Sequence, residues 1–349
     1  MIVALLPAHQ EEAGITAAIA SLQAQTVAPD RIIVVADNCT DCTEQLAAEA
    51  GAEVFTTVGN TFRKAGALNQ AIATLTFGQG DQLLIMDADT VLAPVFIEVA
   101  TARLEADSGL AAIGGVFDGE AKGWLQQAQA NEWARYARQL RRSGKVQVLS
   151  GTAAVIRVEA LDAIRAARGT LLPGVQGDVY NRDAATEDFC LTVALKVLGY
   201  RLASPSACRT TTELMPTFGL LWAQRKRWYG GALQVLGLYG VRPATLAYFG
   251  QQAMLVVAVL GLLAYLLLTG ILAVNGTLGL SAWAILGVIF WLERVVTVWS
   301  AGWKARLFAG AFFIEVAYDM FLQAAFIASV ANRLRSKPIA WVHIQEAVA

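Results

Sequence analysis

One stretch constrains this chain more than any other. From Pro243 to Leu292 there is no Asp, Glu, Lys or Arg. A run of roughly fifty residues is long enough for two bilayer-spanning helices of about 20 residues each, joined by a turn. Asn275-Gly276 is the expected turn. A third apolar stretch, Leu307 to Val330, follows, but it contains Glu315 and Asp319. Composition agrees with a chain partly in lipid: charged residues make up 16%, against about 25% in soluble domains. The net charge of −1 gives no electrostatic case for a nucleic-acid partner.

The flanks set an orientation. Arg225, Lys226, Arg227 and Arg242 precede the first span, and Lys304 and Arg306 lie between the second and third. Both sets should be cytoplasmic. If the third stretch also crosses, Arg333, Arg335 and Lys337 end outside, against the rule, so two or three crossings stay open. The segment Met215 to Leu238 mixes Trp222, Trp228 and Tyr229 with cations and suits a helix lying in the membrane interface. The expected division is a cytoplasmic domain over 1–213, interfacial helices over 214–242, membrane helices over 243–330 and a tail over 331–349. Met1 runs directly into the apolar Ile2 to Leu6 without a signal peptide, so the N-terminal domain is expected to stay in the cytoplasm.

That domain alternates strand and helix patterns. Strands are expected at Ile2 to Leu6, Arg31 to Val35, Ala52 to Thr56 and Gln82 to Met86, with helices at Glu11 to Gln23, Thr43 to Ala50 and Lys64 to Leu75. The alternation implies an α/β fold with a mainly parallel sheet. Ligands of such sheets bind beyond the carboxyl ends of the strands. Three strands run into polar residues there: His9-Gln10-Glu11, Asp37-Asn38 and Asp87-Ala88-Asp89. A further strand is expected at Val146 to Leu149, leading into Ser150-Gly151-Thr152, and a helix at Phe189 to Leu198 behind Asp188.

Two carboxylates at the end of a strand, Asp87 and Asp89, can share one divalent ion with a diphosphate, since Mg2+ and Mn2+ take hard oxygen ligands. A strand-end turn with a helix cap competes with that reading. Cys39 and Cys42 form a lone C-x-x-C with no second pair at zinc spacing, and read as ordinary thiols. The basic residues Arg135, Arg138, Arg141, Arg142 and Lys145 read as a solvated helix face or a site for anionic headgroups. Glu315 and Asp319, four apart, share a helix face and either pair with Arg294 or line a channel. His343 is isolated and is assigned no role.

Five further segments change the weight of Asp87-Ala88-Asp89: Pro7-Ala8-His9-Gln10-Glu11-Glu12, Val34 to Thr43, Lys64-Ala65-Gly66-Ala67-Leu68-Asn69, Thr186-Glu187-Asp188, and Gln224-Arg225-Lys226-Arg227-Trp228. In order and spacing they resemble glycosyltransferase family 2, in the membrane-bound branch with cellulose, chitin and hyaluronan synthases and ceramide glucosyltransferase. The resemblance covers about residues 1–235 and implies a GT-A-type domain. It implies that Pro7, Glu11 and Asp37 line the base and ribose pocket, with Lys64 near the nucleotide. Asp87 would contact the ribose or phosphate side and share the Mn2+ or Mg2+ ion with its principal ligand, Asp89. Asp188 would be the general base. Gln224 and Arg227 would hold the diphosphate, and Trp228 would lie under sugar or acceptor. His9 and Gln10 stand where the family usually has an aromatic residue and Asn, and Ala36 replaces the first of two frequent aspartates, which loosens the assignment of the base.

The expected activity is inverting transfer of a sugar from a nucleotide donor, with UDP-sugar as first expectation, to a polysaccharide or lipid-linked acceptor. The expected setting is a bacterial-type plasma membrane. The few spans favour a lipid-linked or membrane-proximal acceptor, or a channel formed by several copies. Two rivals belong to other classes: a nucleotide-sugar-binding membrane regulator, and a transporter using Glu315 and Asp319 with an accessory nucleotide-binding domain.

Overall fold

The computed structural model describes residues 1–277, 282–337 and 339. The first part follows the expected alternation: β1 (Ile2–Ala8), α1 (Ile15–Gln23), β2 (Arg31–Ala36), α2 (Thr43–Glu49), β3 (Glu53–Thr56), α3 (Arg63–Thr74) and β4 (Gln82–Met86). These four strands are parallel neighbours in the order β3-β2-β1-β4. Val3 and Leu5 face one core with Leu68 of α3, while Ala4 and Leu6 face the other with Ile15 and Ile19 of α1. Both faces are covered, so the strands read as continuous apolar runs rather than alternating ones. The helix expected from Glu11 begins only at Ile15, because residues 9–14 are spent on the loop that carries the site.

The second part of the domain departs from simple alternation. It adds β5 (Val91–Leu92), α4 (Phe96–Ala106), β6 (Leu110–Gly114), β7 (Val116–Asp118), α5 (Trp124–Ser143), β8 (Ala153–Arg157), α6 (Val158–Ala167), α7 (Glu187–Val197), β9 (Arg201–Ala203) and β10 (Arg209–Thr211). β8 is antiparallel to both its neighbours, β4 and β6, and β9 extends the seven-stranded sheet beyond β6. β5, β10 and β7 form a small second sheet. The strand expected at Val146 to Leu149 is not there: that segment is irregular, and the strand is β8. The helix expected from Phe189 starts earlier, at Glu187, which places Asp188 inside its first turn rather than before it.

Five helices complete the described chain: α8 (Phe218–Tyr239), α9 (Pro243–Val274), α10 (Ala282–Thr297), α11 (Trp303–Gly310) and α12 (Phe312–Leu334). Thr217 caps α8 by accepting from the Leu220 amide at 3.3 Å. Val235, Leu236 and Tyr239 of α8 belong to the main core, so this helix is part of the domain. α9 and α12 are long and apolar enough to cross a membrane. Their surroundings differ. α9 carries exposed Met254, Val257, Leu260, Leu263 and Leu267, whereas α12 lies along α8. Phe321 packs on Trp222 at 5.5 Å, Phe326 on Tyr229 at 5.5 Å, and the Ser329 hydroxyl donates to the Lys226 carbonyl at 3.3 Å. From Phe218–Phe321 through Tyr229–Phe326 to Gly237 beside Arg333 the two helices advance together, so α12 runs in the same direction as α8. The apolar stretch from Leu307 is also broken near Ala311, between α11 and α12.

Ion pairs fasten these helices to α5 and to one another. Arg135 meets Glu315 at 2.8 Å, and Arg294 pairs with Asp319. Glu132 accepts from Arg225 at 3.0 Å and from the Tyr318 hydroxyl at 2.7 Å. Arg138 donates to the Val296 carbonyl at the end of α10. Two expectations change here. Arg135 and Arg138 are anchors rather than members of a solvated face, and Arg225 is 2% exposed rather than membrane-facing. Glu315 and Asp319 both have partners, only one of them Arg294. His343 and the rest of the tail beyond Ile339 lie outside the described residues.

Candidate active site

The strand ends supply one wall of a cavity. At the end of β1, His9 Nδ1 lies 2.6 Å from the Asp37 carbonyl. At the end of β2, Asp37 Oδ1 accepts from Thr57 (2.8 Å), Asn60 (2.8 Å) and Asn38 (3.0 Å). Asn38 and Arg63 sit at φ 53° and 52°, and Gln10 at φ 58°. Non-glycine residues in the left-handed region are uncommon, and their clustering at one site marks loops shaped for something other than stability.

At the end of β4, Asp87 pairs with Lys64, which also reaches Glu187 at 3.1 Å. Burial opposes the charge on Lys64, but Asp87 and Glu187 outweigh it and hold its pKa above the ordinary value. Burial pushes Asp87 up to about 6, with Lys64 opposing. The Asp87 side chain is still 34% exposed to the cleft, so water screens part of that shift. Asp89 is also pushed up to about 6, first by burial and then by neighbouring Glu11, with Glu213 adding to it. Gly151 closes over this pair: a Cβ there would lie 3.1 Å from Lys64 Nζ and 3.2 Å from Asp87 Oδ2. A side chain at 151 would crowd the centre of the site.

The first turn of α7 brings two further carboxylates. Asp188 accepts from the Phe189 amide at 2.7 Å and from the Gly151 amide at 3.2 Å. Burial and then adjacent Glu187 raise its pKa. Glu187 goes the other way: burial works against its charge, but Lys64 and Arg227 outweigh it and keep it below the carboxylate range. Two adjacent carboxyls are thus driven apart, a pattern typical of acid–base chemistry. α8 forms the remaining wall with Gln224, Arg227 and Trp228. Arg225, clamped by Glu132, lies over the Trp228 ring at 4.4 Å and fixes its plane.

All ten residues singled out from the sequence, Pro7, Glu11, Asp37, Lys64, Asp87, Asp89, Asp188, Gln224, Arg227 and Trp228, line one cavity of about 770 Å3, well within the range of ligand sites. Glu187 and Asn60 also line it and were not assigned roles; the first lay in plain view inside Thr186-Glu187-Asp188. Ser150, Gly151 and Thr152, which the family resemblance suggests as a loop near donor sugar or acceptor and which could equally be a simple turn, line it too. The wall also includes Trp133, Tyr136, Tyr248 and Gln252, which no local motif marked.

Among the described residues no three His, Cys, Asp or Glu side chains form a metal cage. Mg2+-type ions need less, because they are held by one or two carboxylates plus substrate phosphates. Asp89, crowded by Glu11 and Glu213, offers hard oxygen in an excess of negative charge, and that environment fits such an ion. Asp87 fits less well as a ligand, since Lys64 already neutralises it.

Known proteins similar to this chain are glycosyltransferases. Residues 4–165 match the model of glycosyl transferase family 2. A poly-beta-1,6-N-acetyl-D-glucosamine synthase of Staphylococcus aureus is 26% identical over 243 residues, covering 66% of this chain and 54% of the relative. The chain therefore spans about half the length of the curated relatives it matches. A mannosyltransferase from Pyrobaculum calidifontis, solved with GDP-Man and Mn2+, superposes with a TM-score of 0.57 at 18% identity, over 97% of this chain and 88% of that one. That likeness establishes a GT-A fold.

Proposed function

From a chain whose residues 4–165 are a glycosyltransferase family 2 domain, we propose a membrane-anchored inverting glycosyltransferase that uses a nucleoside diphosphate sugar. The observation that carries this reading is the convergence of ten residues from six separate segments on one cavity, with Asp188 facing it from the first turn of α7. Asp37, Glu11 and Pro7 take the nucleoside side. Arg227, Gln224 and Lys64 take the diphosphate side, where positive charge stabilises the departing group. Asp89 is the principal ligand for Mn2+ or Mg2+, which when bound neutralises charge on the diphosphate.

Asp188 acts on the acceptor. It accepts the proton of the acceptor hydroxyl as that oxygen bonds to the anomeric carbon. The bond from that carbon to the diphosphate breaks, and the diphosphate leaves with the electron pair. A carboxyl with a raised pKa is a stronger base than an exposed one. The Gly151 and Phe189 amides hold the carboxylate in place.

The apolar helices supply the anchor. α9 with α10 makes a hairpin turned at Asn275-Gly276, and α12 stays on the catalytic side against α8. That arrangement keeps Arg333, Arg335 and Lys337 cytoplasmic and removes the conflict of a third crossing. It also weighs against transport, because Glu315 and Asp319 are both neutralised by arginines. Impermeant thiol labelling of Asn275→Cys and Ser336→Cys tests it: the two should label from opposite sides, and labelling from the same side would contradict the hairpin.

The activity itself is tested on purified full-length chain in nanodiscs. A panel of nucleotide sugars headed by UDP-N-acetylglucosamine and GDP-mannose is incubated with Mn2+ or Mg2+, and nucleoside diphosphate release is measured. One donor should stand out. No release from any donor would reject the reading.

A further inference from the structure

Residues 146–152 form neither helix nor strand, yet they run through the middle of the site. Gln147, Val148, Ser150, Gly151 and Thr152 all line the cavity. The backbone polar groups of such a segment need partners outside a sheet ladder. Three of them find partners along one face of α7. Asp188, Thr192 and Lys196 are each four residues apart and so stand in a row on that helix. The Gly151 amide donates to Asp188 Oδ2 at 3.2 Å, and the Leu149 amide to the Thr192 hydroxyl at 2.9 Å. The Lys196 ammonium donates to the Val146 carbonyl at 2.6 Å. The far end of the segment is tied to β4, where the Thr152 carbonyl accepts from the Asp87 amide at 3.2 Å.

Thr192 is fully buried and, like Lys196, stands behind the cavity wall rather than in it. Its hydroxyl is used twice, accepting from Leu149 and donating to the Asp188 carbonyl at 2.7 Å. A threonine inside a helix commonly bonds back to the carbonyl four residues earlier. That habit accounts for the bond to Asp188 but not for the one from Leu149. Lys196 has no carboxylate to offset its burial, which pushes its pKa down to about 8. Its ammonium meets oxygens instead, the Val146 carbonyl and the Tyr248 hydroxyl at 2.7 Å. Tyr248, in the second turn of α9, donates in turn to the Gln147 carbonyl and packs edge-on against Phe189 at 5.0 Å. The apolar helix α9 is thereby joined to the helix that carries Asp188.

We infer that Thr192 and Lys196 are positioning residues: by fixing residues 146–152 against α7 they set where the Asp188 carboxylate stands, and Tyr248 ties that setting to α9. This rests on the glycosyltransferase reading with Asp188 as base. A reacting group displaced by about 1 Å can lose about 100-fold in rate. A loosened segment therefore acts on turnover more than on donor binding, since Asp37, Gln224 and Arg227 lie on other elements.

The test uses full-length protein in nanodiscs with the donor that the nucleotide-sugar panel identifies, assayed well below the melting temperature. Thr192→Val keeps the shape and loses the hydroxyl, and Thr192→Ser keeps the hydroxyl. Thr192→Val should lower kcat by about tenfold, the scale of one hydrogen bond, with donor KM little changed, and Thr192→Ser should recover most of the loss. Lys196→Met, at a half-buried site, should act in the same direction and carries the test if Thr192→Val does not fold. Residues that act through one another are not additive. In Asp188→Asn, where no base is left to place, adding Thr192→Val should therefore change kcat by less than about twofold, whereas a merely structural role would lower both backgrounds alike. Hydrogen exchange reads the same point without a rate: the peptide over 146–152 should exchange faster in Thr192→Val and stay protected in Thr192→Ser. Unchanged kcat in Thr192→Val and Lys196→Met, equal losses in both backgrounds, or unchanged exchange overturns the inference, while turnover by wild type and its loss in Asp188→Asn keep the transferase reading intact. Wild-type turnover by Asp188→Asn, or no turnover of any donor, overturns both.

Discussion

The two ends of the cavity are finished in opposite ways. At the strand end, Asp37, Lys64, Asp87, Glu187 and Asp188 are each held by named partners, and Asn38 and Arg63, next to Asp37 and Lys64, sit in the left-handed region. At the helix end, the rings of Trp133, Tyr136, Trp228 and Tyr248 dominate the lining. A preorganised charged end suits a step in which charge develops and departs. An end walled by rings offers shape rather than charge. Charge and shape are thus supplied by different secondary structures.

The largest break of that contrast comes at Asp188. Asp188→Asn keeps size and most hydrogen bonding but cannot accept a proton, so turnover should fall by about 10²–10⁴-fold, while donor KM and melting temperature hold. Asparagine is as good near a helix start as aspartate, so a merely structural role would leave turnover near wild type. Next is Asp89→Ala, which should abolish the response of turnover to added Mn2+ or Mg2+ in a folded protein. Full wild-type activity in excess chelator would sink the metal assignment. Third is Glu132→Gln, which strands the buried Arg225 without its counter-charge. Arg225 is buried but Glu132 is 31% exposed, so the loss should stay below the about 3–5 kcal/mol of a fully buried pair, read as a lower melting temperature together with a loosened Trp228. Stability equal to wild type would show that the clamp is dispensable.

The smallest effect is a displaced pH limb. Burial and Glu187 raise the pKa of Asp188, and the base must be deprotonated to work. Turnover should therefore fall as pH drops through this raised value, at a higher pH than an ordinary carboxylate near 4 would give. A flat profile down to pH 4.5 would remove the raised pKa from the mechanism.

The contrast also explains what was legible from the sequence. β1 to β4 and their helices lie close to where the apolar runs place them, and the strand-end residues declare themselves because polarity switches abruptly where a strand stops. The second half is set by long-range pairing. Val146 to Leu149 is as strand-like as Ala153 to Arg157, but only the latter finds β4 and β6 on either side. Arg225 looks like its neighbours Lys226 and Arg227 until Glu132, far away in the chain, is brought beneath it. Trp133 and Gln252 belong to no local pattern and reach one cavity only through the packing of α5 and α9. Hydropathy likewise ranks α9 and α12 together, although one is bare and the other is laid against α8.

The placement of α12 sets an order of biosynthesis. α8 carries Gln224, Arg227 and Trp228, yet its outer side is covered by a helix that follows the α9–α10 hairpin in the chain. The N-terminal domain can fold as it leaves the ribosome, but on the proposed topology the brace for α8 is translated only after that hairpin has been threaded into the bilayer. A chain that stalls, or that fails to insert, would hold an N-terminal domain with an unbraced α8. Completion of the site is then tied to arrival at the membrane, without any separate signal.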